Sequence, residues 1–371
     1  MKHARILVVG GGIGGLTATI ALRQRGFEVH VVERDPSWSV YGVGIIQQPN
    51  VIRAMSQLGI LSAYINAGFG FDHVDIYSWD GVHRARLHSP KLVDGCPANL
   101  GISRIALHKV LGERAIAAGG SVRLGESVAR LEQSSGGVDV QLTGGSQARY
   151  DLVIGADGTH SNTRQLIFPE APAPEFTGQA VWRYNFERPA EIDGIRAYQG
   201  PIGVGLVPLA ANLMYMFATT PEPGNPRYAK LGIAERMRGR LDGAPPAIAS
   251  LAAKITDDES VVYRPLEWLL LTGPWHKGRV VLLGDAVHCT TPHLGQGAGL
   301  AIEDSLVLAD ELAKASEPQQ AFEAYRQRRF ERCRYIVETS VAICNSQLGR
   351  RPPVDQAQLT REMLEVTGQP I

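Results

Sequence analysis

The sequence predicts a mixed α/β fold: a discontinuous Rossmann-like βαβ domain, an inserted substrate domain built mainly on an antiparallel sheet, and C-terminal helices. Three observations predict it. Near the start, an apolar run without alternation leads through a glycine cluster into a helix-period stretch. Two further apolar runs, far apart in the chain, each stop at a glycine and aspartate pair. Between those two runs, over residues 171–263, the texture changes to prolines, aromatics and alternating stretches.

The first element reads Arg5-Ile6-Leu7-Val8-Val9, then a glycine cluster from Gly10 to Gly15, then a helical segment that Gly26 closes. An unalternating apolar strand is one buried on both faces, as in a parallel sheet. Residues 27–33 give a second strand ending at Glu33, completing a βαβ unit of about 30 residues. In Gly10-x-Gly12-x-x-Gly15 the first glycine permits the tight turn, the second admits a pyrophosphate to the backbone, and the third lets helix and strand pack closely. The helix N-terminus supplies amide donors and partial positive charge. Glu33, 23 residues after Gly10, stands where a carboxylate accepts from a ribose. The motif predicts nucleotide binding and does not separate NAD from FAD.

The second element, Asp157-Gly158-Thr159-His160-Ser161-Asn162-Thr163-Arg164, follows an apolar strand at residues 151–156. Ser161 and Arg164 read either as ligand contacts or as a helix cap and its neighbour. The third runs from Gly284-Asp285 through His288, Cys289, Pro292, His293, Gly295 and Gly297-Ala298-Gly299 into a long helix. Both elements deliver a carboxylate to the C-terminal edge of a strand, where open α/β sheets bind ligands. Asp285 accepts from hydroxyls, while amides at Gly297 to Gly299 stabilise negative charge. In the inserted region, residues 203–208 and 213–217 alternate as antiparallel strands do. After Gly299 the pattern is helical to about Asn345, and a polar tail follows.

Composition limits the function classes. A chain of 371 residues, 44% apolar and 20% charged, is an ordinary globular protein of about two domains. Lys plus Arg equals Asp plus Glu at 37 each, which argues against nucleic acid or an anionic membrane as partner. The four cysteines are too few and too scattered for a disulfide framework or a CxxC pair, so reduced thiols in a cytoplasm are expected. The uncharged stretch 6–22, preceded by Lys2 and Arg5, imitates a signal peptide, but its five glycines speak against export and against a span. No other run approaches the ~20 apolar residues a spanning helix needs. The basic run from Arg326 to Arg334 has Glu323, Glu331 and Glu338 at helical spacing and is expected to be a solvated, ion-paired helix face. His288 and His293, five apart, do not share a helical face, and no metal site is expected. His288 reads as a fixed supporting group and Cys289 as a small core residue.

The three elements, in this order and at these separations, resemble the FAD-dependent aromatic hydroxylases typified by p-hydroxybenzoate hydroxylase, over nearly the whole chain. The third element is the most specific part. Residues 42–50 and Ser103-Arg104-Ile105-Ala106-Leu107 are also similar to the family's flavin-side segments. The length and residues 290–297 look most like the compact single-component branch, with the salicylate, urate, 3-hydroxybenzoate and 6-hydroxynicotinate hydroxylases. The resemblance implies a glutathione-reductase-type FAD domain made of residues 1–75, 98–170 and 265–345. Residues 76–97 and 171–264 would form the substrate domain and 346–371 a tail. It implies Gly12 and Gly15 at the pyrophosphate, Glu33 at the adenosine ribose, Arg104 at the diphosphate or ribityl region, and Asp285 at the ribityl hydroxyls. Gly10, Ile13, Gly14, Arg34, Val128, Asp157, Gly295, Gly297, Ala298 and Gly299 complete the expected cofactor contacts.

The resemblance further implies hydroxylation of a small phenolic or enolic aromatic or N-heteroaromatic substrate, with or without a carboxylate, through a flavin C4a-hydroperoxide. O2 would be consumed, and NADH or NADPH would reduce the flavin in transit, since only one GxGxxG is present. At the substrate, Tyr215, Arg183, Pro292 and Gln47 are the expected catalytic-pocket residues. Tyr215 alternatively packs within its strand with its hydroxyl at the surface, and Arg183 is alternatively a surface arginine. Of Gln47 and Gln48, at least one is expected to face solvent. A reductase, dehydrogenase or halogenase of the same fold, or a redox-silent flavin-binding protein, would share the FAD motifs. The assembly expected is a monomer or homodimer.

Overall fold

The computed structural model describes residues 3–371; Lys2 lies outside them. The strand Arg5–Val9 is central to a six-stranded sheet, flanked in parallel by Leu152–Gly155 and Glu28–Glu33. Val280–Leu282 extends the sheet beyond Leu152–Gly155, also in parallel. The three apolar runs therefore share one sheet, and each ends at the same edge. Ile6, Leu7, Val8 and Val9 are essentially inaccessible because helix Ile13–Gln24 and a three-stranded antiparallel sheet, Val128–Ser134, Gly137–Leu142 and Gln147–Tyr150, pack against the parallel sheet. Helix Ile13–Gln24 packs on helix Gly297–Lys314, and Thr17 Oγ1 and Ser305 Oγ, 2.8 Å apart, join them.

The inserted region builds a seven-stranded sheet. Its order runs from Val262–Trp268 through Glu175–Glu187, Leu213–Pro221, Gly203–Ala210 and Ile195–Gln199 to His73–Ser78 and His83–His88. All neighbours are antiparallel except Ile195–Gln199 and His73–Ser78. The strand period of two divides the faces. Trp182, Tyr184 and Phe186 pair with Met214, Met216 and Ala218 on one face, and pack there against Ile233, Met237 and Ile248. Val181, Arg183 and Asn185 with Tyr215 and Phe217 occupy the other face. That second face looks toward the parallel sheet's ligand edge.

Two expectations for the C-terminal third are corrected. The segment after Asn345 is more than a polar tail: Gln356–Gly368 is a helix with Met363 and Leu364 buried in the same core as the parallel sheet. The arginine run on helix Pro318–Gln347 is also not simply a solvated face. Arg329 is fully buried and pairs with Glu303 and Asp304 at 2.7 Å each, and Arg332 pairs with Glu303 at 3.0 Å. Only part of the run, such as Arg334 with Glu331, forms the surface pair that helical spacing suggests. The inward arginines are explained by tertiary pairing with carboxylates on helix Gly297–Lys314, which local spacing does not show. All four cysteines are free thiols.

Candidate active site

A cavity of about 750 Å³ lies between the edge of the parallel sheet and the second sheet. Its floor is the glycine turn. Gly10 holds φ +109°, and a Cβ there would overlap the Ala156 carbonyl oxygen. A Cβ on Gly15 would overlap the Gly10 oxygen. Gly12 has nothing within 4 Å of a built Cβ and faces the cavity beside Ile13 and Gly14. The turn thus has backbone-tight ends and an open middle. Glu33 lines the cavity while Oε2 accepts from Gly11 N at 2.7 Å and Oε1 from Asp35 N at 2.8 Å. Arg34 borders the same end.

The opposite wall collects charge. Ser103 caps helix Arg104–Ala117, its Oγ accepting from Ala106 N at 3.1 Å, which sets Arg104 at the helix start and at the cavity wall. Arg183, Tyr215 and Asp285 line the same cavity. Burial pushes the Arg183 guanidinium down to about 10, and the neighbouring Arg104 charge adds to the effect. Arg104 is also lowered by burial, opposed by Tyr215 and Asp285. Burial raises the Tyr215 hydroxyl and the Asp285 carboxyl, while nearby cations, Arg183 and Arg104 for the tyrosine and His288 and Arg104 for the aspartate, pull the other way. Neither Arg104 nor Arg183 has a carboxylate within ion-pair distance among the described residues. Arg183 is therefore not a surface residue: strand pairing turns it onto the cavity face with Tyr215. The Tyr215 ring fits because Gly44, opposite it, has no side chain; a Cβ there would overlap the ring.

Pro292, Gly295, Gly297 and Ala298 line the side of the cavity nearest Asp285. Gly295 holds φ +65°, and Gly297 starts the 18-residue helix, whose first amides point toward the cavity end. Gly299 is different: a Cβ there would press on Gln296, Val51 and Asn50, so it serves packing. Three other expected residues stay outside the cavity lining. Val128 is core, its carbonyl accepting from Asn162 Nδ2 at 2.8 Å. Asp157 accepts from Ser161 Oγ at 2.5 Å and from Thr163 N and Oγ1 at 2.9 Å, closing its own loop. Gln47 is buried with Nε2 donating to Ile46 O, while Gln48 is half-buried and donates to Leu294 O. Ser161 acts as the cap of helix Asn162–Ile167, accepting from Arg164 N at 2.9 Å, and Arg164 is buried, donating to Ala286 O and Thr159 O.

Sequence reasoning missed several wall residues. Phe217 shares the face of Tyr215 two positions away, so alternation alone could have placed it. Arg264 reaches the cavity because it pairs across from Val181, a register that only the sheet reveals. Tyr41 lies under Arg264, with the guanidinium 4.1 Å from the ring centre. Cys289 also lines the cavity although it is largely buried, and burial pushes its thiol up, which disfavours the thiolate.

The two histidines do different work. His293 bridges Thr291 Oγ1 at 2.9 Å and Gln347 Oε1 at 3.1 Å, and burial holds it down to about 4. His288 is fully buried, with Nε2 2.6 Å from Asp304 Oδ2; burial lowers it, but Cys333 and Asp304 raise it further, leaving it well above the ordinary value. His288, Asp304 and Cys333 are close enough to suggest a metal cluster. The Arg329 guanidinium is already the cation there, 2.7 Å from Asp304 Oδ1. Asp304 Oδ2 also accepts from Gly284 N at 3.1 Å, tying this pair to the turn that presents Asp285.

A glycine turn open at Gly12, carboxylates at two strand ends and a second sheet closing an arginine-bearing cavity define a nucleotide-cofactor oxidoreductase of the flavoprotein type. The family described as FAD binding domain matches residues 3–213 and 251–340. YetM of Bacillus subtilis (strain 168) is 30% identical over 359 residues, 96% of each chain. A 3-amino-4-hydroxybenzoate 2-monooxygenase of Streptomyces cremeus is 33% identical over 344 residues, 89% of this chain and 84% of that relative. The crystal structure of Klebsiella pneumoniae HpxO complexed with FAD and uric acid superposes with a TM-score of 0.84 at 26% identity, covering 98% of this chain and 92% of that one. The chain belongs to this FAD-binding family and is an FAD-dependent monooxygenase of the aromatic hydroxylase class.

The residues present fit FAD. The Gly12 opening would admit a pyrophosphate to the helix N-terminus, and Asp285 and Glu33 would offer acceptors for hydroxyls at the two ends. Among the described residues, no helix is long and apolar enough to cross a membrane.

Proposed function

We propose that the protein takes electrons from NADH or NADPH and uses O2 to hydroxylate a small aromatic or N-heteroaromatic compound bound as an anion, as phenolate, enolate or carboxylate. The observation that carries this reading is the Arg183 guanidinium, at the cavity wall without a carboxylate partner and beside Arg104, whose charge the cofactor would take up. A desolvated cation is costly unless an anion pairs with it. A planar anionic ring with an adjacent carboxylate or enolate supplies that pair with bidentate geometry.

Bound FAD supplies the redox and oxygen chemistry. The protein's part is to hold, orient and keep dry. Gly12, Ile13 and Gly14 would take the pyrophosphate, Glu33 and Arg34 the adenosine end, Arg104 the middle of the cofactor, and Asp285 with the Gly295, Gly297 and Ala298 turn the flavin end. Arg183 would stabilise the substrate's negative charge, which feeds electrons into the ring carbon that is attacked. Tyr215, with its proton held tightly by burial, would donate a hydrogen bond to the substrate oxygen. Phe217, Val181 and Pro292 would flank the ring and exclude water. The names of the relatives, a urate hydroxylase and an aminohydroxybenzoate monooxygenase, support a substrate of this size and polarity.

The test is a screen of benzoates, hydroxypyridines and purines for stimulated NAD(P)H oxidation, with product mass measured under 18-O2. An oxygenated product carrying one label atom is expected. If saturating anionic aromatics neither stimulate oxidation nor yield labelled product, the proposal fails.

A further inference from the structure

Behind the Gly295–Ala298 turn lies a buried amide cluster that no step of the proposed chemistry uses. Gln296 is the residue immediately before helix Gly297–Lys314, and its side chain is 1% exposed. Its Nε2 shares its two hydrogens among Gln48 Oε1, Asn50 Oδ1 at 3.1 Å and Met363 Sδ at 3.4 Å. Its Oε1 accepts from Asn50 Nδ2 at 3.0 Å. Gln48 in turn donates to Leu294 O at 2.9 Å, so the cluster holds the turn at Leu294 as well as at Gln296. Met363 comes from the helix Gln356–Gly368.

That helix is itself anchored to the same spot by charge. Arg53 donates to the carbonyls of Gly368 at 2.7 Å, Thr367 at 3.1 Å and Gln369 at 2.8 Å. Arg332 donates to those of Gln369 and Pro370, each at 2.9 Å. Cations at the carbonyl end of a helix are favourably placed. Arg332 also pairs with Glu303 at 3.0 Å, and Glu303 Oε1 accepts from Asn50 Nδ2 at 3.2 Å. One connected network therefore runs from Gln369 and Pro370, just after helix Gln356–Gly368, through Arg332, Glu303 and Asn50 to Gln296, and a second link runs directly through Met363 of the helix. Buried polar networks with every member engaged fix geometry rather than merely fill space.

We infer that helix Gln356–Gly368 is a positioning element for the flavin-side turn, acting through Met363 and the positioning residue Gln296. The inference rests on the reading that the Gly295–Ala298 turn contacts the flavin ring. Helix Gly297–Lys314 starts at this turn, so small displacements there alter the direction of its first amides toward the ring.

The full chain and FAD itself serve as probes. Apo-protein of Gln296→Ala, Met363→Leu and the double variant is titrated with FAD, and the visible spectrum, midpoint potential and apo-protein unfolding temperature are recorded. Gln296→Ala is expected to raise the FAD dissociation constant on the order of tenfold and to shift the midpoint potential. Met363→Leu keeps the packing volume and loses the sulfur acceptor; a smaller change of the same sign is expected, and a non-additive double variant. A lowered unfolding temperature with FAD affinity, spectrum and potential all unchanged overturns the inference, as does strict additivity. Should Gln296→Ala fail to fold, Gln296→Met, which keeps the length and drops the hydrogen bonds, is judged by the same criteria. Ala298→Phe separates the two readings, because its ring would fill the cavity at the turn. If FAD binds Ala298→Phe normally, the turn is not at the flavin and the underlying reading falls; if it does not bind while the other variants are wild-type, only the positioning role falls.

Discussion

Replacing Arg183 by methionine should make the substrate-free protein more stable while making it a worse enzyme. Burial and the Arg104 charge push the Arg183 guanidinium down to about 10, well below the ordinary arginine value. At about 1.4 kcal/mol per tenfold change in proton affinity, holding the charge there costs roughly 3 kcal/mol as an upper figure. Water entering the cavity reduces it, so about 1–2 kcal/mol is the working expectation. The sign follows from linkage. A basic group whose folded value is depressed binds its proton more weakly in the folded state than in the unfolded one. The penalty is therefore fully present at neutral pH and is relieved only as pH rises above about 10. Methionine fills similar space without the charge. For a chain of 371 residues, a gain of that size corresponds to a rise in Tm of roughly 1–4 °C. The assay is thermal unfolding of FAD-loaded protein at pH 7.5 without substrate, beside the KM for the best anionic substrate, expected to rise about 100-fold from loss of a charge-assisted bidentate contact. A variant that melts lower than wild type, or one that keeps the wild-type KM, refutes the reasoning that Arg183 is held at a cost for the sake of an anion.

Asp285→Ala should weaken FAD retention by on the order of tenfold or more, measured as flavin content after gel filtration; a fully flavinated variant would remove Asp285 from the site. Tyr215→Phe should lower the yield of hydroxylated product per NAD(P)H consumed while leaving flavin content unchanged, and unchanged coupling would reduce Tyr215 to packing. Arg329→Leu removes the cation that Glu303 and Asp304 share and leaves Arg332 and His288 as their remaining partners, so a loss of about 3 kcal/mol in urea unfolding is expected; a loss below 1 kcal/mol would show the Arg329 pairs to be dispensable. His293, held down to about 4, stays neutral when folded and gains a proton on unfolding, so it takes away stability as pH falls from about 6.5 toward 4. His293→Gln should flatten that limb of the stability profile, and an unchanged limb would locate the acid sensitivity elsewhere.

Much of the scaffold was legible from local pattern. The unalternating run at Arg5–Val9 could only be a doubly covered strand, and the crowding at Gly10 and Gly15 is imposed by the turn that follows it. The aspartates at strand ends announced the cavity's edge. Less visible were residues whose role depends on a partner far away in sequence. Asp157 carries the same strand-end signature as Asp285, yet its carboxylate turns into its own loop because Ser161 and Thr163 satisfy it. Val128 and Gly299 look available in sequence and are consumed by packing. Arg329, in a run that reads as a solvated face, is buried because two acidic neighbours on helix Gly297–Lys314 face the same seam.

The sequence by itself determined the parallel-sheet core, the glycine turn, the order of the three ligand-facing elements and the alternating insert, since each follows from periodicity and backbone sterics within a dozen residues. The tertiary structure alone decided which face of Glu175–Glu187 looks into the cavity, and so why Arg183 joins Arg104 and Tyr215 while Trp182 does not. It alone brought Arg264 opposite Val181 and set Met363 against Gln296. The physical reason is that a strand's period fixes alternation but not which side is inward. That choice is made by register between distant strands and by the charges and amides that must find partners once the two sheets close on one another.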